Sequence, residues 1–149
     1  MQARMKNPAT IVTDAMGPLQ ALGKALAGST IPEKTRTLMH IRISQINGCA
    51  SCLDGEITRT QETPQRLAAV AVWREAPFFS DAERAALELA EAITRLADQD
   101  DRVPDAVWAK AARHYDETGL AWLVLDAAIL NLYNRLNVAT RQVAGQRSW

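Results

Sequence analysis

The chain has 149 residues, about the size of one ordinary domain. Lys plus Arg and Asp plus Glu number 17 each, and aromatic residues make up only 5%. This balance argues against nucleic acid or an anionic membrane surface as a partner. The longest apolar run, residues 120 to 130, is too short to span a bilayer and contains Asp126. No secretory signal opens the sequence, so we expect a cytoplasmic protein.

Helix signals recur along the chain, and no stretch alternates apolar and polar residues as a β-strand would. A first helix is predicted over residues 7 to 28, with Gly28 as its stop and a bend at Pro18. Its apolar stripe is Ile11, Val12, Met16, Leu19, Leu22 and Leu26. A second helix is predicted from Pro32 to Asn47-Gly48, and a short third one from the cysteines to about Thr60.

Further helices follow with clear start signals. Thr63-Pro64 predicts one that reaches about Arg74 and carries Leu67, Val70 and Val72 on its apolar positions. The segment SDAE, residues 80 to 83, is a capping box before another helix, and Pro104 opens the next. The last, from about Leu120 to Ala139, is apolar nearly all round and is expected at the centre. We predict one domain over residues 1 to 149: an all-α, compact bundle of six or seven helices.

The two cysteines of the chain, Cys49 and Cys52, form a Cys-x-x-Cys motif directly after Asn47-Gly48. One helical turn brings such sulfurs within bonding distance, and the helix N-terminus favours thiolate over thiol. Two small buried hydrophobes remain an alternative reading. A structural zinc site is disfavoured because only His40 and His114 could add nitrogen ligands. The pattern favours a redox-active pair on an all-α scaffold, with no metal and no nucleotide cofactor.

The stretch HIRISQINGCASCLDGE resembles the core of the alkylhydroperoxidase D (AhpD)-like group of the carboxymuconolactone decarboxylase superfamily. The resemblance continues in residues 62 to 94 and 130 to 141. It implies an all-helical fold with the Cys-x-x-Cys at a helix junction, assembled as a homotrimer or homohexamer. It also implies thiol-dependent reduction of a small hydroperoxide, with an external dithiol or a lipoylated or thioredoxin-like protein as the reductant.

The resemblance assigns roles to both cysteines. Cys52 corresponds to the thiol that attacks the peroxide, and Cys49 to its resolving partner and the entry point for the reductant. Peroxidases of the family add a histidine four residues after the second cysteine and a glutamate twelve before the first. This chain has Glu56 and Thr37 at those positions. The usual proton relay therefore cannot be assigned.

An exchanged relay is our hypothesis for this chain. Glu56 lies at i+4 from Cys52 and so on the same helical face. His40 lies one turn after Thr37 and could face the same cavity. With a pKa near neutrality, His40 would draw the proton from Cys52 through Glu56 or a water, and Glu56 would orient it. A surface histidine and a solvated glutamate are the plain alternative.

Other polar and aromatic residues have structural explanations that compete with functional ones. His114 is expected to interact with a helix C-terminus, and Arg42 to pair with an acid. Trp73, Phe78 and Phe79 suit a pocket wall as well as the core or an interface. Tyr133, Asn134 and Arg135 are expected to form a polar interface between subunits.

Three functions compete on these residues. The first is a thiol peroxidase or disulfide oxidoreductase that cycles through a Cys49–Cys52 disulfide. The second is a redox sensor or binding module of the same fold that has no peroxidase turnover. The absence of the family's usual relay histidine and glutamate favours this alternative. The third, a lactone decarboxylase that needs no cysteines, is disfavoured because both cysteines are present.

Overall fold

The computed structural model describes residues 2–98 and 100–146, and these residues contain helices but no strand. Seven α-helices follow one another: α1 Met16–Ala25, α2 Glu33–Asn47, α3 Ala50–Arg59, α4 Pro64–Ala69, α5 Asp81–Thr94, α6 Asp105–Ala112 and α7 Glu117–Thr140. Short 3₁₀ turns lie at Pro8–Thr10, Leu26–Gly28 and Val70–Val72. The predicted all-α fold of six or seven helices is confirmed.

Helix α2 lies between two apolar clusters and packs against α5, α7 and α3. Its Met39 and Ile43 join a cluster with side chains of α5 and α7, including Leu89 and Leu123. Its Leu38 and Ile41 face the other way and join a second cluster, formed with Ala69, Val70, Trp73, Ala76, Phe79 and Leu87. Burial on both faces makes α2 the central helix. Each fully buried large apolar side chain stabilises the folded state by roughly 2 kcal/mol relative to an exposed one.

The expectation that the last helix forms the centre was wrong. Helix α7 buries one face against α2 and α5, but Val124, Leu125 and Leu132 on its other face are each at least 36% exposed. A helix that is apolar all round satisfies the sequence signal for burial, yet only tertiary packing decides which of its faces is covered.

The first predicted helix was too long. Helix α1 begins only at Met16, while Ile11 and Val12 are exposed in the preceding turns, where Asp14 adopts a positive φ of 64°. Pro18 lies in the first turn of α1, a position that proline tolerates without a kink. Val72 was also misplaced, since it ends the 3₁₀ turn after α4 and is exposed.

The junction between α2 and α3 matches the sequence prediction. Gly48 ends α2 in the left-handed conformation, with φ of 66°, and its N–H donates to Gln45 and Ser44 carbonyls. The next N–H, that of Cys49, donates to the Ser44 carbonyl at 2.9 Å. These bonds satisfy the last carbonyls of α2 and turn the chain directly into α3. The junction therefore fixes where both cysteines lie.

No helix in the described part of the chain is both long and apolar enough to cross a membrane.

Replacing Gly48 with alanine should lower the free energy of unfolding by about 1–2 kcal/mol, because a Cβ is strained at positive φ. Nothing lies within 4 Å of the added Cβ, so the strain is confined to the backbone. Gly48→Asn should cost less, since asparagine tolerates this conformation. Urea unfolding measures both. Gly17→Ala, within α1 and with equally open space, is the matched control and should be neutral or stabilising.

Candidate functional site

Cys49 and Cys52 are joined in a disulfide across the first turn of α3. Cys49 is the N-cap of the helix, and its Sγ accepts a hydrogen bond from the Cys52 backbone N–H at 3.4 Å. The two sulfurs differ in their surroundings: Cys49 is 3% exposed, whereas Cys52 is half-buried. The motif thus lies at a helix junction, as predicted, with one sulfur inside the protein and the other facing a cavity.

That cavity has a volume of about 760 Å³ and is enclosed mainly by α1, α2, α3 and α7. Cys52 lines it, and Cys49 does not. Apolar side chains form part of its wall: Leu26, Ile129, Leu130 and Val143. Charged side chains form another part: Arg36, His40, Asp54, Glu56, Arg59 and Asp126. A volume in this range is typical of sites for small organic ligands.

Five of these six charged side chains, all except Asp54, form one continuous chain of contacts across the cavity. Arg36 Nε donates to Asp126 Oδ2 at 2.8 Å, and Asp126 Oδ1 accepts from His40 Nε2 at 2.7 Å. His40 Nδ1 lies 3.4 Å from Glu56 Oε1, which in turn accepts from Arg59 at 2.9 Å. Basic and acidic side chains alternate along this chain, from Arg36 on α2 to Asp126 on α7, back to His40 on α2, and then to Glu56 and Arg59 on α3. Such alternation offsets much of the cost of removing each charge from water.

The two carboxylates decide the charge of His40. Burial alone would lower the pKa of His40, but the hydrogen bonds and charges of Asp126 and Glu56 outweigh it and raise the pKa to about 9. The pKa values of both acids are lowered, because their bonds to His40 overcome the burial that would raise them. At neutral pH, His40 is therefore an imidazolium that is hydrogen-bonded to Asp126 through Nε2 and forms an ion pair with Glu56 through Nδ1. This differs from the near-neutral pKa expected from the sequence.

Asn137 contacts the cavity-facing sulfur directly. Its Nδ2 donates to Cys52 Sγ at 3.3 Å, while its Oδ1 accepts from Nδ2 of the fully buried Asn7 at 3.0 Å. The bond to Asn7 fixes the orientation of the Asn137 amide, so that its donor group points to sulfur. A donor in this position favours the charged, thiolate form of cysteine.

Three asparagines anchor the end of α2 that precedes Cys49. Asn47 Nδ2 donates to Asn131 Oδ1 at 2.9 Å and to Asn134 Oδ1 at 3.0 Å, both on α7. Asn134 is fully buried, and its amide reaches Ser44 on α2. Tyr133 donates from its hydroxyl to the Leu19 carbonyl. Because Asn134 is buried within the chain itself, the subunit-interface explanation was wrong for Asn134; for Tyr133 and Arg135 it stays a prediction.

All four predicted site residues lie in one region of the molecule. His40, Cys52 and Glu56 line the same cavity, with Cys49 directly behind Cys52. The exchanged relay requires His40 to lie beside Glu56, and the two side chains are 3.4 Å apart. The catalytic roles of these residues stay predictions.

Three residues of the site were not predicted from the sequence: Asp126, Arg36 and Asn137. Asp126 carried a readable signal, since an acid in an apolar helix must find a buried partner. Arg36 shares a face of α2 with His40 at i+4, which also could have suggested a common partner. No sequence signal pointed to Asn137, because Cys52, the residue that it contacts, is 85 residues away in sequence.

The remaining candidates have structural roles. Arg42 pairs with the buried Glu91, which also binds Arg74 and Trp73. Trp73 and Phe79 belong to the core, as their structural alternative predicted. His114 follows α6, and its N–H caps the carbonyl of Ala111. The described residues include no cluster of three or more His, Cys, Asp or Glu side chains that could hold a metal ion.

The fold and the site define a class of proteins. The model of the carboxymuconolactone decarboxylase family matches residues 14–92, just over half of the chain, and this protein belongs to that family. The uncharacterized protein YdfG of Bacillus subtilis is 38% identical over 132 residues, which are 87% of this chain and 88% of YdfG. The uncharacterized protein YnjA of Escherichia coli is 36% identical over 114 residues, 74% of this chain and 61% of YnjA.

Solved structures share the fold. A protein of unknown function from Agrobacterium tumefaciens, described as a candidate antioxidant defence protein AhpD, superposes with a TM-score of 0.90. The two sequences are 26% identical, and the superposition covers 98% of this chain and 100% of the other. The debrominase Bmp8 superposes with a TM-score of 0.74 at 23% identity, over 91% of this chain and 73% of Bmp8. The AhpD-like fold is thus established, and the family includes enzymes.

The raised pKa of His40 predicts how stability depends on pH. The imidazolium stabilises the folded state fully below about pH 6.5, its ordinary pKa, and this contribution is lost as the pH rises through about 9. Urea unfolding of the oxidised protein should therefore show a loss of about 3 kcal/mol between these values. His40→Gln should flatten this slope, whereas His114→Gln should keep it. Equal slopes in all three proteins would contradict the assigned ionisation.

Proposed function

We propose that the protein is a thiol-dependent hydroperoxide reductase that cycles through the Cys49–Cys52 disulfide. The observation that carries this proposal is the placement of Cys52: half-buried, joined to Cys49 and facing a cavity that also holds His40 and Glu56. A reactive thiol needs both access and a partner to form a disulfide. Cys52 has both.

The oxidative half of the cycle begins with the reduced pair. The Cys52 thiolate attacks one peroxide oxygen, the O–O bond breaks, and the alkoxide leaves and takes up a proton. Cys52 is then a sulfenic acid, and the Cys49 thiolate attacks its sulfur to form the disulfide, releasing the hydroxyl group as water. Two electrons from the dithiol have reduced one hydroperoxide to an alcohol and water.

The surroundings of Cys52 favour this chemistry. The Asn137 amide donates to the sulfur, and the α3 N-terminus adds a positive partial charge. The apolar wall of Leu26, Ile129, Leu130 and Val143 suits the organic part of a hydroperoxide. An external dithiol, on a lipoylated or thioredoxin-like protein, returns the pair to its reduced form.

The ionisation of His40 changes its proposed role. As an imidazolium it cannot serve as the base that takes the Cys52 proton, but it can donate a proton to the departing alkoxide. Glu56, kept as a carboxylate by His40 and Arg59, is the group that can accept the thiol proton, directly or through water. Asp126 and Arg36 hold His40 in place from the opposite side.

Turnover separates this enzyme from a redox sensor of the same fold. With cumene hydroperoxide and excess dithiothreitol, the purified protein should consume many equivalents of peroxide per chain. Cys52→Ser should abolish consumption, because no thiol then faces the cavity. Cys49→Ser should form the sulfenic acid at Cys52 and lose the disulfide route of resolution. At most one equivalent consumed by the unaltered protein would favour the sensor.

The proposed roles of His40 and Glu56 can be tested on Cys52 alone, in a Cys49→Ser background. His40→Ala should move the pH midpoint of Cys52 alkylation upward by about one unit, since a nearby cation that favours the thiolate is lost. His114→Ala is the matched control and should leave the midpoint unchanged.

Glu56→Gln should move the same midpoint downward, because a nearby negative charge that opposes the thiolate is removed. It should nevertheless slow peroxide consumption in the protein with both cysteines, since the proton acceptor is lost. An alkylation profile that neither change alters would exclude a relay through these two residues.

A further inference from the structure

Each reaction cycle ends when an external thiol opens the disulfide, and the structure distinguishes the two sulfurs as targets. We infer that the reductant attacks Cys52 Sγ, so that the mixed disulfide forms on Cys52 and Cys49 departs as the thiolate. This assignment rests on the proposed redox cycle and departs from the resemblance, which places the entry point at Cys49.

Access is the first reason. Thiol–disulfide exchange requires the attacking thiolate to reach one sulfur from the side opposite its partner, and the cysteine that it reaches becomes part of the mixed disulfide. Cys49 is 3% exposed and does not line the cavity, whereas Cys52 does. The cavity of about 760 Å³ is wide enough for the end of a dithiol chain.

The leaving group is the second reason. Exchange is faster when the sulfur that departs is stabilised as a thiolate. Cys49 occupies the N-cap of α3, a helix of ten residues, and its Sγ already accepts the Cys52 N–H. This donor and the helix dipole remain in place after the S–S bond breaks. Burial disfavours the thiolate form of Cys49, and the N–H group that donates to its sulfur offsets this desolvation cost.

Asn137 and Asn7 form the third part of the arrangement. The Asn137 amide contacts Cys52 and is itself fixed by Asn7, so the Cys52 sulfur keeps its position at the cavity wall. The same sulfur would then meet the peroxide in one half of the cycle and the reductant in the other. Cys49 would act from inside the protein, as resolving thiol and as leaving group.

In the exchange step, one S–S bond forms as another breaks. A glutathione thiolate forms a new S–S bond to Cys52 Sγ, the Cys49–Cys52 bond breaks, and its electron pair stays on Cys49. A second thiol attacking the glutathione sulfur, or an attack on the mixed disulfide by the other thiol of a dithiol reductant, leaves both cysteines reduced.

Trapping the mixed disulfide tests the assignment. The oxidised protein is mixed briefly with excess glutathione, quenched with N-ethylmaleimide, and its peptide of residues 43 to 59 is sequenced by mass spectrometry. Glutathione should be found on Cys52 and maleimide on Cys49, with at least a tenfold preference. The same reaction in 6 M guanidinium is the matched control, in which the preference should fall to near unity because the burial of Cys49 is lost.

Glutathione on Cys49, an even distribution in the folded protein, or no mixed disulfide would each overturn the inference. Cys49→Ser and Cys52→Ser provide an independent measure: the single thiol at position 52 should react with Ellman's reagent at least tenfold faster than the one at position 49. Loss of peroxide turnover with a strong Cys52 preference would reject the peroxidase and leave the site of thiol exchange standing.

Discussion

The turn between α2 and α3 is the constraint on which the site depends. Gly48 reverses the chain in a left-handed conformation, and the N–H groups of Gly48 and Cys49 close the end of α2. Since α2 is packed on both sides, this turn has little freedom to move. Its rigidity places Cys49 at the N-cap of α3 and Cys52 one turn later, where a disulfide closes without disturbing the helix.

Charge burial is the second organising feature. Asp126 has a side chain only 2% exposed, and it is tolerated on the apolar α7 because Arg36 and His40 both donate to it. The imidazolium that results is shared with Glu56 on the cysteine helix. One histidine therefore links three helices, and its protonation state is coupled both to stability and to the electrostatic field at Cys52. This chain has neither the histidine nor the glutamate that the family resemblance predicts, yet His40 and Glu56 place a histidine beside a carboxylate in the cavity that Cys52 lines.

Local signals accounted for most of the helix boundaries. Thr63 and the Ser80–Glu83 capping box each mark a helix start in the structure, because a cap is a contact within one turn of the chain. Pro32 directly precedes α2 without a side-chain cap, and its fixed φ suits the start of a helix. The same reasoning failed at Ile11, Val12 and Val72, where apolar residues continued the helical period but remain exposed. Periodicity predicts which residues could share a face; burial requires a second surface.

The sequence by itself determined the helical class, the helix junction and the spacing that lets Cys49 and Cys52 join, because all three depend on residues within a few turns of one another. It also indicated His40 and Glu56 as candidate site residues through their positions relative to the cysteines. Only the tertiary structure decided that Asp126 raises the pKa of His40, that Asn137 meets Cys52, and that Cys49 is buried while Cys52 faces the cavity. These contacts join residues some 85 positions apart, and their energies arise from the desolvation and charge pairing that packing α7 against α2 and α3 creates.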